Sequence, residues 1–226
     1  MDRLIAVPPA PTFWQHGFSL TEMAVVLVIV ALLIGGMILP MSAQQDIRNN
    51  SETETTLGNI LEALYGFAAS HAASDGKPYL PCPDTDSDGA ENRTGNACTN
   101  QSGTLPWADL GLGRQDAWGN TVRYAVTNVF SNNATGFALL SAGNLRICEQ
   151  AACTTVLAST VPVVVLSLGK NGAATPTDTD QLENTDGDAD FVHRTSDSAV
   201  TGYDDIVSWL PPSILIHRMI SAGKLP

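Results

Sequence analysis

Basic residues are scarce in this chain. It carries 11 Lys and Arg against 23 Asp and Glu over 226 residues, a formal net charge of −12. With no basic surface to replace phosphate counterions, nucleic acid is not expected as a partner of the folded part. Electrostatic docking on anionic lipid is excluded on the same ground. Cysteine is absent before residue 82, and Cys82, Cys98, Cys148 and Cys153 form neither a Cys-x-x-Cys pair nor a Cys/His zinc spacing. Aromatic residues make up only 6%, so Trp107, Trp118 and Trp209 read as packing anchors, not ligand platforms. His16, His71, His193 and His217 stand in unrelated contexts, and no Ser/His or Cys/His nucleophile arrangement can be assembled from them. Ser167-Leu-Gly-Lys170 fits the Ser-x-x-Lys pattern of penicillin-binding enzymes. That motif needs a helix behind the serine and Ser-Asp-Asn or Lys-Thr-Gly partners, whereas this one ends an apolar strand alone. No internal repeat is evident. The chain reads as non-enzymatic.

What is present begins with Gly17-Phe18-Ser19-Leu20-Thr21-Glu22, followed by Met23–Leu39, seventeen residues without a charge. A carboxylate at the mouth of such a helix is costly, roughly 2.5–3.5 kcal/mol within hydrocarbon. Pro8, Pro9 and Pro11 keep residues 1–17 from extending the apolar helix. No Ala-x-Ala-like site follows the apolar run, where Leu39-Pro40-Met41-Ser42 stands, and no cysteine lies nearby for a lipoprotein anchor. As a helix the run measures about 26 Å, and with Phe18–Glu22 it comes near the roughly 20 residues that cross a bilayer. Gly35, Gly36 and Pro40 are expected to loosen its far end.

This stretch resembles the type IV pilin family, including the pseudopilins of type II secretion, whose signature is Gly, then Phe, then Glu at the fifth mature position, then a hydrophobic run. The resemblance implies a leader, residues 1–17, cut after Gly17 by a prepilin peptidase that also N-methylates Phe18. Such leaders are usually basic; this one offers only Arg3 and His16. It further implies a transmembrane and assembly helix at 18–40 in the inner membrane, a periplasmic head, an assembly platform, and other pilins or pseudopilins as filament partners. Glu22 would neutralise the Phe18 α-amino group of a neighbouring subunit, because two charges costly in lipid become cheap as a pair.

Beyond residue 40 the pattern turns amphipathic over 41–74. Ile47, Leu57, Ile60, Leu61, Leu64, Phe67 and Ala68 recur at three- and four-residue intervals, and Asp75-Gly76-Lys77-Pro78 ends the helix. Residues 75–226 read as one head of ordinary size. Residues 78–106 read as a loop. Thr121–Val129, Gly136–Ser141, Leu145–Cys148, Cys153–Leu157 and Val161–Leu168 read as strands. Residues 169–202 read as a long acidic loop, and Pro212–Ala222 as a helix stopped by Gly223. The expected fold class is α+β, a long N-terminal helix packed on an antiparallel sheet. Four cysteines after an export-type N-terminus read as disulfides. Of the three connectivities, Cys82–Cys98 and Cys148–Cys153 are preferred because each closes a short loop, which places the head in an oxidising periplasm or cell exterior.

The head carries a second resemblance, to major pseudopilins, over roughly residues 105–209. Leu105-Pro-Trp-Ala-Asp, Asp116-Ala-Trp-Gly-Asn-Thr-Val-Arg-Tyr124, Ser167-Leu-Gly-Lys-Asn-Gly172 and Asp205-Ile-Val-Ser-Trp209 follow that family's motifs in order. The resemblance implies a calcium-binding loop in which the Leu168 carbonyl, Asn171 and Asp205 are ligands, Asn171 standing where the family has Asp. Asp186, Asp188 and Asp190, with Asp178, Asp180 and Glu183 nearby, supply further oxygens of the kind calcium takes six to eight of. Asp84-Thr-Asp86-Ser-Asp88-Gly89 also resembles the front of an EF-hand loop, with Gly95 at the twelfth position and Glu91 or Asn92 as helpers. The readings that follow are a type II secretion pseudopilin, a minor type IV pilin for adhesion, motility or DNA uptake, or an anchored periplasmic calcium-binding domain that never polymerises.

Overall fold

The computed structural model describes residues 17–174, 176–196 and 202–226, with the side chains of 36–42 outside the description. The expected leader therefore lies outside the described residues except for Gly17. The chain divides into two compact units, residues 1–45 and 46–226. The long helix α1 (Leu20–Ser70) contributes to both, and its helical backbone continues through Gly35, Gly36 and Pro40.

In the second unit, α1 presents a stripe at helical spacing. Leu57, Ile60, Leu64, Phe67 and Ala68 are buried and Leu61 is packed against them. Ile47 is not part of that face; it stands 70% exposed, and Thr53 takes a fully buried position further along. The helix ends at Ser70, where a turn over Ala73–Lys77 passes through Gly76 at φ 82°. The expected loop of 78–106 holds more order than its composition suggests. A two-residue hairpin, β1 (Arg93–Thr94) with β2 (Ala97–Cys98), precedes β3 (Ser102–Thr104), which joins the main sheet.

That sheet is antiparallel, in the order β3, β4 (Arg123–Val126), β7 (Val163–Ser167), β9 (Ile206–Leu210). A second sheet runs β6 (Val156–Val161), β5 (Leu145–Cys148), β8 (Asp190–Val192). Within it β5 and β8 are parallel, which the expected all-antiparallel head did not include. The helices α2 (Asn128–Ser131), α3 (Thr179–Glu183) and α4 (Pro212–Ser221) complete the chain.

Alternation along the strands makes three layers. Tyr124, Val126, Val163, Val165 and Leu210 face α1, with Leu215 and Met219 of α4 beside them. Ala125, Val164, Leu166 and Val207 point the other way, onto Leu145, Ile147, Val161 and Phe191 of the second sheet and its flank. β7 is thus buried on both faces, the reason its sequence is a run of apolar residues.

Four expected strands are altered: Cys153–Leu157 begins only at Val156 and runs on to Val161 as β6, and three others change for a backbone reason. Val161–Leu168 begins as β7 only at Val163, because Pro162 cannot donate to a ladder and the chain changes sheets there, with Thr160 at φ 57°. Thr121–Val129 gives way to α2 after Val126, where the Thr127 amide turns to the Pro162 carbonyl and its hydroxyl donates to Val161 O. Gly136–Ser141 is no strand. Its Phe137 amide donates to Pro78 O and its ring is buried against Phe130, so the segment packs as a plug. Cys82–Cys98 and Cys148–Cys153 are bonded, with Cα separations of 5.2 and 5.1 Å; the second closes the tip between β5 and β6.

Candidate functional site

At the N-terminal end of α1, Ser19 and Glu22 form a reciprocal cap. The Ser19 amide donates to Glu22 Oε2 at 2.9 Å, and the Glu22 amide donates to Ser19 Oγ at 3.2 Å. This is a capping box, which satisfies two amides that the first turn leaves without helical partners. The sequence reading assigned Glu22 only an intermolecular role, although Ser-x-x-Glu ahead of an apolar run was there to signal the cap. Phe18 is 80% exposed, and large apolar side chains onward from it stand open, from Val30 at 43% to Leu20 at 88%. Among the described residues, no helix is long and apolar enough to cross a membrane.

In the head, the motifs that lie apart in sequence meet in space. Asp116 is buried; its Oδ1 accepts the amides of Trp118 and Asn120 at 2.9 and 2.8 Å, and its Oδ2 accepts the Ser167 hydroxyl at 2.5 Å. Ser167 Oγ in turn accepts the Gly169 amide at 3.1 Å, and Asn120 Nδ2 donates to Gly169 O at 2.5 Å. Gly169 has φ 62°, and a Cβ there would lie 2.3 Å from Asp204 O, so glycine is required. Past it, Lys170 Nζ reaches Asp46 Oδ2 at 2.6 Å, tying the turn to α1, and the Asn171 amide donates to Asp204 Oδ2 at 3.0 Å.

Behind this turn lies a cavity of about 150 Å³ lined by Leu168, Asn171, Gln181, Thr185 and Asp205 among others. Asp205 is 5% exposed, and among the described residues its carboxylate receives a single side-chain donor, Asn184 Nδ2 at 2.8 Å. Burial pushes its carboxyl up to about 7; the Asn184 amide opposes that rise, while the charges of Asp204 and Asp178 add to it. Burial also raises Asp204, against amides from Asn171 and Lys170 and against Gln181 Nε2 at 2.8 Å. The sequence reading found Leu168, Asn171 and Asp205, and the fold places all three at this cavity. It missed Gln181, Asn184 and Thr185 because 169–202 read as loop. The signal was Asp178-x-x-Gln181: Asp178 caps α3 by accepting the Asp180 and Gln181 amides.

Asp186, Asp188 and Asp190 do not join that cavity. Asp190 pairs with Arg146, with Nε to Oδ1 at 2.6 Å. Asp186 and Asp188 accept the amides two residues on, at 3.0 and 2.7 Å, shaping the turn into β8. Carboxylate oxygens of Glu183, Asp188 and Asp190 come within 4.8 Å of one another. Burial, then these neighbouring acids, raise the Glu183 carboxyl.

Asp84, Asp86 and Asp88 also cluster, but Asp84 is spent on its own loop. Its Oδ1 accepts the Asp86 and Ser87 amides at 3.1 and 2.6 Å and its Oδ2 accepts Gly89 at 2.8 Å. Burial pushes this carboxyl up, and the three amides together outweigh burial and hold it below its ordinary value. Glu91 accepts the Cys82 amide and pairs with Arg93, and Asn92 Oδ1 accepts the Thr85 amide, so both supposed helpers are engaged.

No curated protein and no solved structure matches the chain. One family description does, the prokaryotic N-terminal methylation motif, over residues 15–38. The capped helix start at Ser19 and Glu22 lies inside that match. The chain thus carries, at the head of its long helix, the motif that is the hallmark of type IV pilins and pseudopilins.

Proposed function

We propose that this is a structural filament subunit, a pseudopilin of a type II protein secretion system, and not an enzyme. The observation that carries the reading is the methylation motif at 15–38 with Gly17-Phe18 and Glu22 in place. The motif implies processing by a prepilin peptidase and assembly with other pilin subunits. Cleavage after Gly17 would leave Phe18 as the methylated N-terminus, with residues 18–40 holding the subunit in the inner membrane and the head in the periplasm. The open apolar face between Leu20 and Ile34 is then surface that neighbouring subunits cover. Glu22 serves both roles. One oxygen caps its own helix through Ser19, and the other is left for the ammonium of a neighbouring Phe18.

Calcium is the proposed occupant of the head cavity. The donor set fits a hard cation: the Leu168 carbonyl and the side-chain oxygens of Asn171, Gln181, Thr185 and Asp205. A buried carboxylate with one amide donor is the group a cation would compensate. The cation would supply positive charge there and fasten the 168–172 turn to α3 and β9.

The second reading is a minor type IV pilin. It is favoured by the stapled β1–β2 segment and the α3–β8 insertion, because subunits of a crowded filament tolerate few additions. Glu22→Ala separates assembly from anchoring: membrane insertion stays intact and incorporation into filaments falls. Unchanged incorporation sinks the assembly role, and a membrane form that keeps residue 1 by mass spectrometry favours a non-polymerising anchored domain. A deletion strain that loses exoprotein export, with motility and DNA uptake intact, selects the secretion reading.

A further inference from the structure

We propose that Asn171 is a site of spontaneous deamidation, which adds a second carboxylate to a cavity lined by one acid, Asp205. Asn171-Gly172 is the only Asn-Gly pair in the sequence. The reaction needs the following backbone nitrogen to reach the side-chain carbonyl carbon, and a glycine there removes the side chain that would obstruct it. The fold also enforces that glycine. A Cβ on residue 172 would lie 2.5 Å from Leu168 Cβ and 2.8 Å from Asn120 Nδ2.

Neither reacting group is firmly held. Among the described residues the Asn171 side chain makes long contacts, to Gly202 O at 3.3 Å and to Gln181 at 3.4 Å in both directions. The Gly172 amide points to Gly169 O at 3.4 Å. Ordinary N–H···O bonds lie near 2.9–3.0 Å. The cavity that Asn171 lines has room for the water that completes the reaction.

The step balances as follows. Gly172 N attacks Asn171 Cγ, the Cγ–Nδ2 bond breaks, and ammonia leaves with the proton from the Gly172 amide. Water then opens the succinimide at either carbonyl, giving aspartate or isoaspartate. Nothing is oxidised or reduced. The aspartate product places a carboxylate beside Asp205 and next to Asp204, which accepts the amide of the same residue. In the cation-free chain it adds like-charge repulsion, and with a hard cation it adds a charged ligand.

The modification itself does not depend on the calcium reading; only its consequence for binding does. The test is to incubate the purified full chain in detergent at mildly alkaline pH and follow the tryptic peptide from Asn171 to Arg194. The expected result is a gain of one mass unit localised to residue 171, with isoaspartate detectable, while Asn184 in the same peptide stays amidated. The Asn171→Gln variant gains nothing. A denatured and reduced sample of the same chain serves as reference. If it converts while the native chain keeps its amide, the turn protects Asn171 and the proposal fails. Calcium affinity is then compared between fresh chain and Asn171→Asp. Conversion without tighter binding removes residue 171 as a charged ligand and leaves the modification standing.

Discussion

Two carboxylates, Glu22 and Asp205, sit where charge is costly, and the surroundings of each explain it. Glu22 looks out of place in an apolar helix, yet its carboxylate accepts the Ser19 amide, while Ser19 Oγ accepts the Glu22 amide that the helix start cannot satisfy internally. Asp205 is the opposite case, a buried acid with too few donors. Its pH dependence follows from linkage. In the cation-free chain its carboxyl titrates near 7, against an ordinary value of 3.8, so across that window the folded state keeps a proton that the unfolded state has released. Stability therefore falls as pH rises from 3.8 to about 7 and levels off above. Asp75 acts outside this window: hydrogen bonds from the Lys77 side chain, then the Gly136 and Lys77 amides, hold it at about 2, and its contribution is lost only as pH falls below 3.8. Thermal unfolding in chelator across this range should show the decline in the native chain and a flatter profile in Asp205→Asn. Equal slopes would remove Asp205 as the source.

At the element scale, periodicity made part of the fold legible. The three- and four-residue spacing along α1 identified Leu57, Ile60, Leu64, Phe67 and Ala68 as buried, because that stripe has a sheet to cover it. It failed at Ile47, where the spacing is the same and no layer covers the residue. An apolar run marked β7 for a similar reason, and alternation marked β5. α3 and β8 were hidden, since a five-residue helix and a three-residue strand among acids show no period, and β8 gains its partner only by pairing parallel with β5. The Cys82–Cys98 staple closes a separation of 16 residues around the Asp84 turn. A loop of that length should contribute about 3 kcal/mol. The double variant Cys82→Ser/Cys98→Ser should lower the denaturant midpoint accordingly, with an m-value that does not fall, because the unlinked chain exposes at least as much surface on unfolding.

At the scale of the whole molecule, the head is three layers whose motifs converge on one turn, and a ligand there should stabilise the entire unit. Calcium at a hundredfold excess over its dissociation constant should add about 2.7 kcal/mol. Thermal unfolding of the full chain in detergent, with calcium against chelator, should show a higher transition that Asp205→Asn loses. No difference between the two conditions would eliminate the cation. The N-terminal motif and the apolar and amphipathic parts of α1 are legible without the fold, and the short-loop cysteine pairing is the preferred one of three, since each depends on neighbours close in the chain. Strand order, which no local signal carries, is what brings Asp205 to the cavity. Asp116, Ser167 and Asp205 are brought to one turn by strand order, and Gln181 of α3 joins them with Asn184 and Thr185 just past its end, a segment with no long-range signal of its own. Asp186, Asp188 and Asp190, more conspicuous in the sequence, are drawn instead into the turn before β8 and onto Arg146, because pairing with β5 carries them there.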